Sequence, residues 1–126
     1  MRPIRAIVVD DEYFNRELLK MMVLRLNPIF EIVGEAENIR NAHRLVTELR
    51  PEVVFIDIRM PDGSGVDLLR KFPERDFEAV FVTGNDDYVP PDYRNLAVDY
   101  VLKPIDTEKL RVTLNEVQSQ VMKKRG

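Results

Sequence analysis

Five polar residues end short apolar runs in this chain. Asp10 and Asp11 follow Ile4 to Val9, and Asp57 follows Val53-Val54-Phe55-Ile56. Thr83 follows Ala79 to Val82, and Lys103 follows a run from about Ala97 to Leu102. If the runs are parallel strands of one sheet, these side chains meet at its C-terminal edge, where open α/β sheets bind ligands. Three clustered carboxylates repel one another, so a hard divalent cation is their natural counter-ion. Mg2+ takes oxygen ligands and keeps several waters, which suits a few carboxylates and one phosphate oxygen. An ammonium offers a point charge to a phosphoryl oxygen, and a hydroxyl offers a hydrogen bond. A carboxylate held beside such a cation can act as nucleophile in phosphoryl transfer.

The intervening segments have the spacing needed to present those runs. From Glu12 to Leu26 the apolar positions Phe14, Leu18, Met22, Val23 and Leu26 keep helical spacing, and Asn27-Pro28 stops the helix. Phe30 to Val33 reads as a second strand before Gly34. Asn38 suits an N-cap for a helix with Ile39, Ala42, Leu45, Val46 and Leu49 on one face, ended by Arg50-Pro51. Val53 to Ile56 is apolar throughout, as in a sheet covered on both faces. Residues 58–65 carry Pro61, Gly63 and Gly65 and read as a loop before a short helix from Val66 to Phe72. The last helix starts at Asp106, with Ile105 and Leu110 spaced as a hydrophobic staple and Leu114, Val117 and Val121 continuing its face. Strands alternating with helices imply an α/β fold with helices on both sides of a parallel sheet.

Composition limits the alternatives. The 126 residues fit one domain, so residues 1–126 are read as a single unit without repeats or linkers. The absence of cysteine removes disulfides, thiolate metal sites and cysteine nucleophiles together, and agrees with a reducing cytoplasm. No apolar run is long enough to span a bilayer, so no membrane association is expected. A formal net charge of −3 makes DNA binding by this domain alone unfavourable. The basic run Lys123-Lys124-Arg125 reads as the solvated end of the last helix.

Each site residue also has a plainer reading. Asp11 could cap the first helix, Asp57 could be an ordinary loop residue, Thr83 a strand terminator and Lys103 a surface lysine. Coincidence at four separate strand ends is a poorer account than one site. Tyr100 also fits a core aromatic. His43, the sole histidine, lies among polar residues and reads as a surface side chain, and Met21, Met22 and Met60 read as gap fillers.

Asp10-Asp11 after the first strand, Asp57 after the third, Thr83 after the fourth and Lys103-Pro104 after the fifth together resemble the receiver domain of two-component response regulators, the CheY-like domain. The resemblance covers essentially the whole chain. Val8-Val9-Asp10-Asp11-Glu12 and Asp57-Ile58-Arg59-Met60-Pro61-Asp62-Gly63 are similar to the family's acidic pair and acceptor loop. The stretch from Ala97 to Asp106 is similar to receivers that precede LytTR-type DNA-binding domains.

The resemblance implies a doubly wound five-stranded parallel sheet of order 2-1-3-4-5. It implies that Asp57 takes a phosphoryl group from a sensor histidine kinase or phosphotransfer protein. Asp10 or Asp11, the Asp57 carboxylate and the Arg59 backbone carbonyl would hold Mg2+. Lys103 would contact the phosphoryl group, Thr83 would move toward it, and Tyr100 would turn inward in response. The Lys103-Pro104 bond is expected to be cis. A homodimer and transcriptional output through a downstream domain are compatible with this reading, as is a stand-alone relay protein.

One departure concerns the segment between Thr83 and Tyr100, where the family carries a regular helix. Asp86-Asp87-Tyr88-Val89-Pro90-Pro91-Asp92-Tyr93 contains two prolines that fit only a helix's first turn. A helix shortened to start near Pro91, or irregular structure, is expected. Two other functions fit less well. A phosphohydrolase of the haloacid-dehalogenase type needs an acid two residues beyond the nucleophile, where this chain has Arg59, so no turnover enzyme is expected. A nucleotide-binding domain needs a glycine- or hydroxyl-rich loop where Asp10-Asp11-Glu12 would repel phosphate.

Overall fold

Side chains alternate in direction along each strand, and this alternation divides the core. Ile7, Val9, Val54, Ile56, Ala79 and Phe81 face one side, while Ala6, Val8, Val53, Phe55, Val80 and Val82 face the other. Both sets are almost fully buried, which explains why the strands read as continuous apolar runs. The computed structural model describes residues 1–84 and 89–126. Its strands are β1 (Ile4–Val9), β2 (Phe30–Ala36), β3 (Val53–Ile56), β4 (Arg59–Met60), β5 (Gly63–Ser64), β6 (Glu78–Gly84) and β7 (Asp99–Lys103). Its helices are α1 (Tyr13–Leu26), α2 (Ile39–Leu49), α3 (Gly65–Arg70) and α4 (Thr107–Arg125).

The main sheet is parallel, with order β2-β1-β3-β6-β7. This is the expected doubly wound order, because β4 and β5 form a separate antiparallel pair inside the loop after Asp57. Leu19 and Val23 of α1 and Leu110, Leu114, Val117 and Val121 of α4 cover one face. Ile39, Ala42 and Val46 of α2 and Val66, Leu68 and Leu69 of α3 cover the other. The expected caps are present: Asn38 Oδ1 accepts from Asn41 N at 2.8 Å, and Asp106 Oδ2 accepts from Lys109 N at 2.8 Å. Ile105 packs on the cluster that contains Leu110, as the staple requires.

Several local expectations are corrected. Phe14 is 72% exposed, and Leu19 takes its place in the buried stripe, because α1 is rotated to fit β1 and α4. Met21 is exposed at 44% and fills no gap, whereas Met60 is buried. β2 continues past Val33 to Ala36 through a register shift opposite Ala6 and Ile7. α3 starts at Gly65, capped by Ser64, and ends at Arg70 rather than Phe72. The terminal basic run is not simply solvated. Arg125 donates to both oxygens of Glu52 at 2.8 and 2.7 Å and to the Arg2 and Pro3 carbonyls, joining the end of α4 to the start of the sheet.

The two prolines act as expected. Among the described residues between β6 and β7, the only helical element is a 3₁₀ turn at Tyr93–Asn95. The expectation for Asp86-Asp87-Tyr88 lies outside the described residues.

Candidate functional site

β1 and β3 are adjacent and parallel, so the residues that leave their C-terminal ends emerge side by side. Asp57 N donates to Val9 O at 3.0 Å, and Asp10 N donates to Ala36 O at 3.0 Å. These bonds hold both aspartates at the sheet edge, with 5% of Asp10 and 6% of Asp57 exposed. Buried carboxylates need partners. Asp57 Oδ1 accepts from Thr83 Oγ1 at 2.7 Å, and Oδ2 accepts from Lys103 Nζ at 2.8 Å. Lys103 Nζ also donates to Asp10 Oδ2 at 2.6 Å, and Glu12 N donates to Asp10 Oδ1 at 2.9 Å. Burial works against the Lys103 ammonium, but the Asp10 and Asp57 carboxylates outweigh it and hold its pKa above the ordinary lysine value.

Asp11 is exposed at the mouth of the same cleft, and one carboxylate oxygen from each of Asp10, Asp11 and Asp57 lies within 4.8 Å of the others. A hard divalent cation that retains waters fits this all-oxygen donor set, which has two members buried and one facing solvent. The cleft measures about 470 Å³, and Arg59 lines it together with Asn15, Met60 and Pro61. The Arg59 side chain is exposed at the start of β4.

Thr83 and Lys103 lie inside β6 and β7 rather than beyond them, with Thr83 opposite Leu102 and Gly84 opposite Lys103. Tyr100 is half-buried on β7, and its ring meets Tyr93 edge-on with centroids 4.9 Å apart. The Lys103-Pro104 peptide is cis. His43 is exposed on α2, away from the cluster, with its ring 4.9 Å from that of Phe72.

The structure adds supporting contacts that sequence reasoning missed. Arg16 Nη1 donates to Asp10 O at 2.8 Å while its Nε donates to Glu35 at 2.8 Å, so α1 and β2 jointly hold the Asp10 backbone. Asp62, in the loop after Asp57, accepts from Ile39 N at 2.7 Å and Arg40 N at 3.1 Å, fastening that loop to the start of α2. Gly65 leaves no room for a side chain: a Cβ there would lie 2.4 Å from Asp57 O. The Arg16 and Asp62 contacts carry no periodic or spacing signal, because they form only where separate elements pack together.

Residues 6–115 match the sequence profile of the response regulator receiver domain. This chain belongs to that family. Receivers are components of two-component phosphorelays. The receiver is 40% identical over 116 residues to an uncharacterized response regulatory protein of Vibrio cholerae, covering 91% of this chain and 48% of the relative. It is 38% identical over 118 residues to the transcriptional regulatory protein BtsR of Escherichia coli, covering 93% and 49%. The chain thus spans about half the length of the curated relatives it matches. Among solved structures, the receiver domain of AraT, a response regulator from Geobacillus stearothermophilus, superposes with a TM-score of 0.86 at 28% identity, covering 97% of this chain and 98% of that one. Among the described residues, no helix of this receiver is long and apolar enough to cross a membrane.

Proposed function

We propose that Asp57 is the phosphoacceptor and takes its phosphoryl group from a phosphohistidine on a sensor histidine kinase or phosphotransfer protein. The observation that carries this reading is a buried carboxylate flanked by Lys103 Nζ and Thr83 Oγ1, beside Asp10 and Asp11. The new bond joins an Asp57 oxygen to phosphorus, and the bond broken is the P–N bond of the donor imidazole. Mg2+ held by Asp10 or Asp11, Asp57 and the Arg59 carbonyl would supply neutralising charge for carboxylates and phosphoryl oxygens. Lys103 adds a fixed positive charge on the phosphoryl side, and Thr83 exchanges its carboxylate acceptor for a phosphoryl oxygen. Tyr100 follows Thr83, and the population shifts between two arrangements of the face built from β7 and α4. Residues 1–126 act as one receiver that catalyses only its own phosphorylation and dephosphorylation.

For the output we favour transcription in the cytoplasm through a DNA-binding domain of the LytTR type, with the receiver serving as kinase target and homodimer contact. The stretch from Ala97 to Asp106 supports this, as does the description of BtsR as a transcriptional regulatory protein. The acidic receiver leaves DNA contact to that other domain. Intact-mass measurement after incubation with acetyl phosphate and Mg2+ tests the acceptor. One phosphoryl mass is expected on the natural chain and none on Asp57→Asn. A modified Asp57→Asn protein rejects the assignment.

A further inference from the structure

We propose that Arg75 is a positioning residue of the switch: its guanidinium fixes the turn at residues 93–97 and, through Tyr93, the place of the Tyr100 ring. This inference rests on the reading of Asp57, Thr83 and Tyr100 given above. Arg75 lies in the connection between α3 and β6 and is half-buried. Nη1 donates to Leu69 O at 3.1 Å and Phe72 O at 3.0 Å, at the end of α3. Nη2 donates to Leu96 O at 2.6 Å and, more weakly, to Asn95 O at 3.4 Å. The planar fork of arginine thus joins two segments that are distant in sequence, a geometry that a lysine ammonium does not reproduce. The Phe77 ring, 5.9 Å from the Arg75 Cζ, borders the same group.

The need for such a clamp follows from the prolines. Among the described residues between β6 and β7, a single 3₁₀ turn is the only helical element. One such turn has poor hydrogen-bond geometry and cannot fix its own orientation. Within it, Leu96 N and Ala97 N both donate to Tyr93 O at 2.8 Å, so holding the Leu96 carbonyl also holds the residue that bears the Tyr93 ring. That ring meets Tyr100 at 88°, and Val98 N donates to Ala79 O, returning the chain to β6. A continuous path therefore runs from the end of α3 to Tyr100 without passing through the carboxylate cluster.

The test compares the natural chain with Arg75→Met and Arg75→Lys by NMR. Three signals are followed: the Tyr93–Tyr100 ring-to-ring NOE, Mg2+ titration of the carboxylate site, and the shift of Tyr100 on adding beryllofluoride. Both variants are expected to lose the NOE and most of the Tyr100 response while binding Mg2+ with unchanged affinity. A natural-strength NOE in either folded variant overturns the proposal, as does Mg2+ affinity that falls in step with the response. If Arg75→Met does not fold, Arg75→Lys decides by the same criteria. A natural chain that ignores beryllofluoride defeats the phosphoacceptor reading instead, and the NOE still judges the Arg75 clamp.

Discussion

Thr83 Oγ1 donates to Asp57 Oδ1 across 2.7 Å, from a threonine with no exposed surface to a carboxylate that is almost as buried. Lys103 engages the other oxygen, so both oxygens of Asp57 already have donors. In the proposed reaction the phosphoryl group therefore enters an existing hydrogen bond, and Thr83 shifts as it trades the carboxylate oxygen for a phosphoryl oxygen.

Removing the hydroxyl separates binding from signalling. Thr83→Ala should still gain a phosphoryl mass at Asp57, because the Lys103 contact and the acidic cluster remain. It should lose about 1–3 kcal/mol of stability, the usual cost of depriving a buried polar group of its partner. Urea unfolding measures that loss, and hydrogen exchange with beryllofluoride should show no change over residues 89–103. A variant that switches like the natural chain would contradict the role given to Thr83.

The carboxylate cluster predicts a cation requirement. Asp10→Ala combined with Asp11→Ala should abolish saturable Mg2+ binding and, with it, phosphorylation by acetyl phosphate, leaving Asp57 as the lone carboxylate of the group. NMR titration of the double variant against the natural chain checks this. Unchanged affinity would remove the metal site.

Gly65 predicts a steric effect. Gly65→Ala would force a Cβ to within 2.4 Å of the Asp57 carbonyl, so the loop or the end of β3 must shift. A loss of about 1–3 kcal/mol is expected from overpacking, together with slower phosphorylation as Asp57 is displaced. Thermal unfolding and a timed mass assay measure the two effects. A variant of natural stability would show that the loop yields freely.

Asp99 predicts an acid-dependent term. Burial alone would raise its pKa, but the Lys109 ammonium at 2.6 Å, the Tyr100 N–H at 2.8 Å and the Thr113 hydroxyl at 3.1 Å outweigh it and hold the pKa below the usual carboxylate value. A lowered folded-state pKa means that the unfolded chain binds more protons between the two values, so stability rises with pH there. The contribution of Asp99 is therefore present above the unfolded value, about 3.9, and disappears as pH falls through the folded value. In urea unfolding, the stability gap between the natural chain and Asp99→Asn should narrow below about pH 4. A gap that is constant with pH would exclude the charge as its source.

Local rules made much of this receiver legible from its residues. Four apolar runs, each ended by a polar side chain, marked four of the five strands and put Asp10, Asp57, Thr83 and Lys103 at their ends, because strand periodicity and burial are properties of short segments, while the strand order followed from the family resemblance. Pro90-Pro91 excluded a regular helix because a proline ring cannot occupy a helix interior. Tertiary structure decided what depends on distant partners. Phe14 and Leu19 are both apolar on the same helix, and only packing against β1 and α4 chose which was buried. Arg125 read as part of a solvated helix end and nothing in the sequence marked Arg16 or Arg75, yet each donates to backbone carbonyls presented by other segments. A backbone carbonyl has no residue type, so no sequence pattern could reveal those bonds before the chain folded around them.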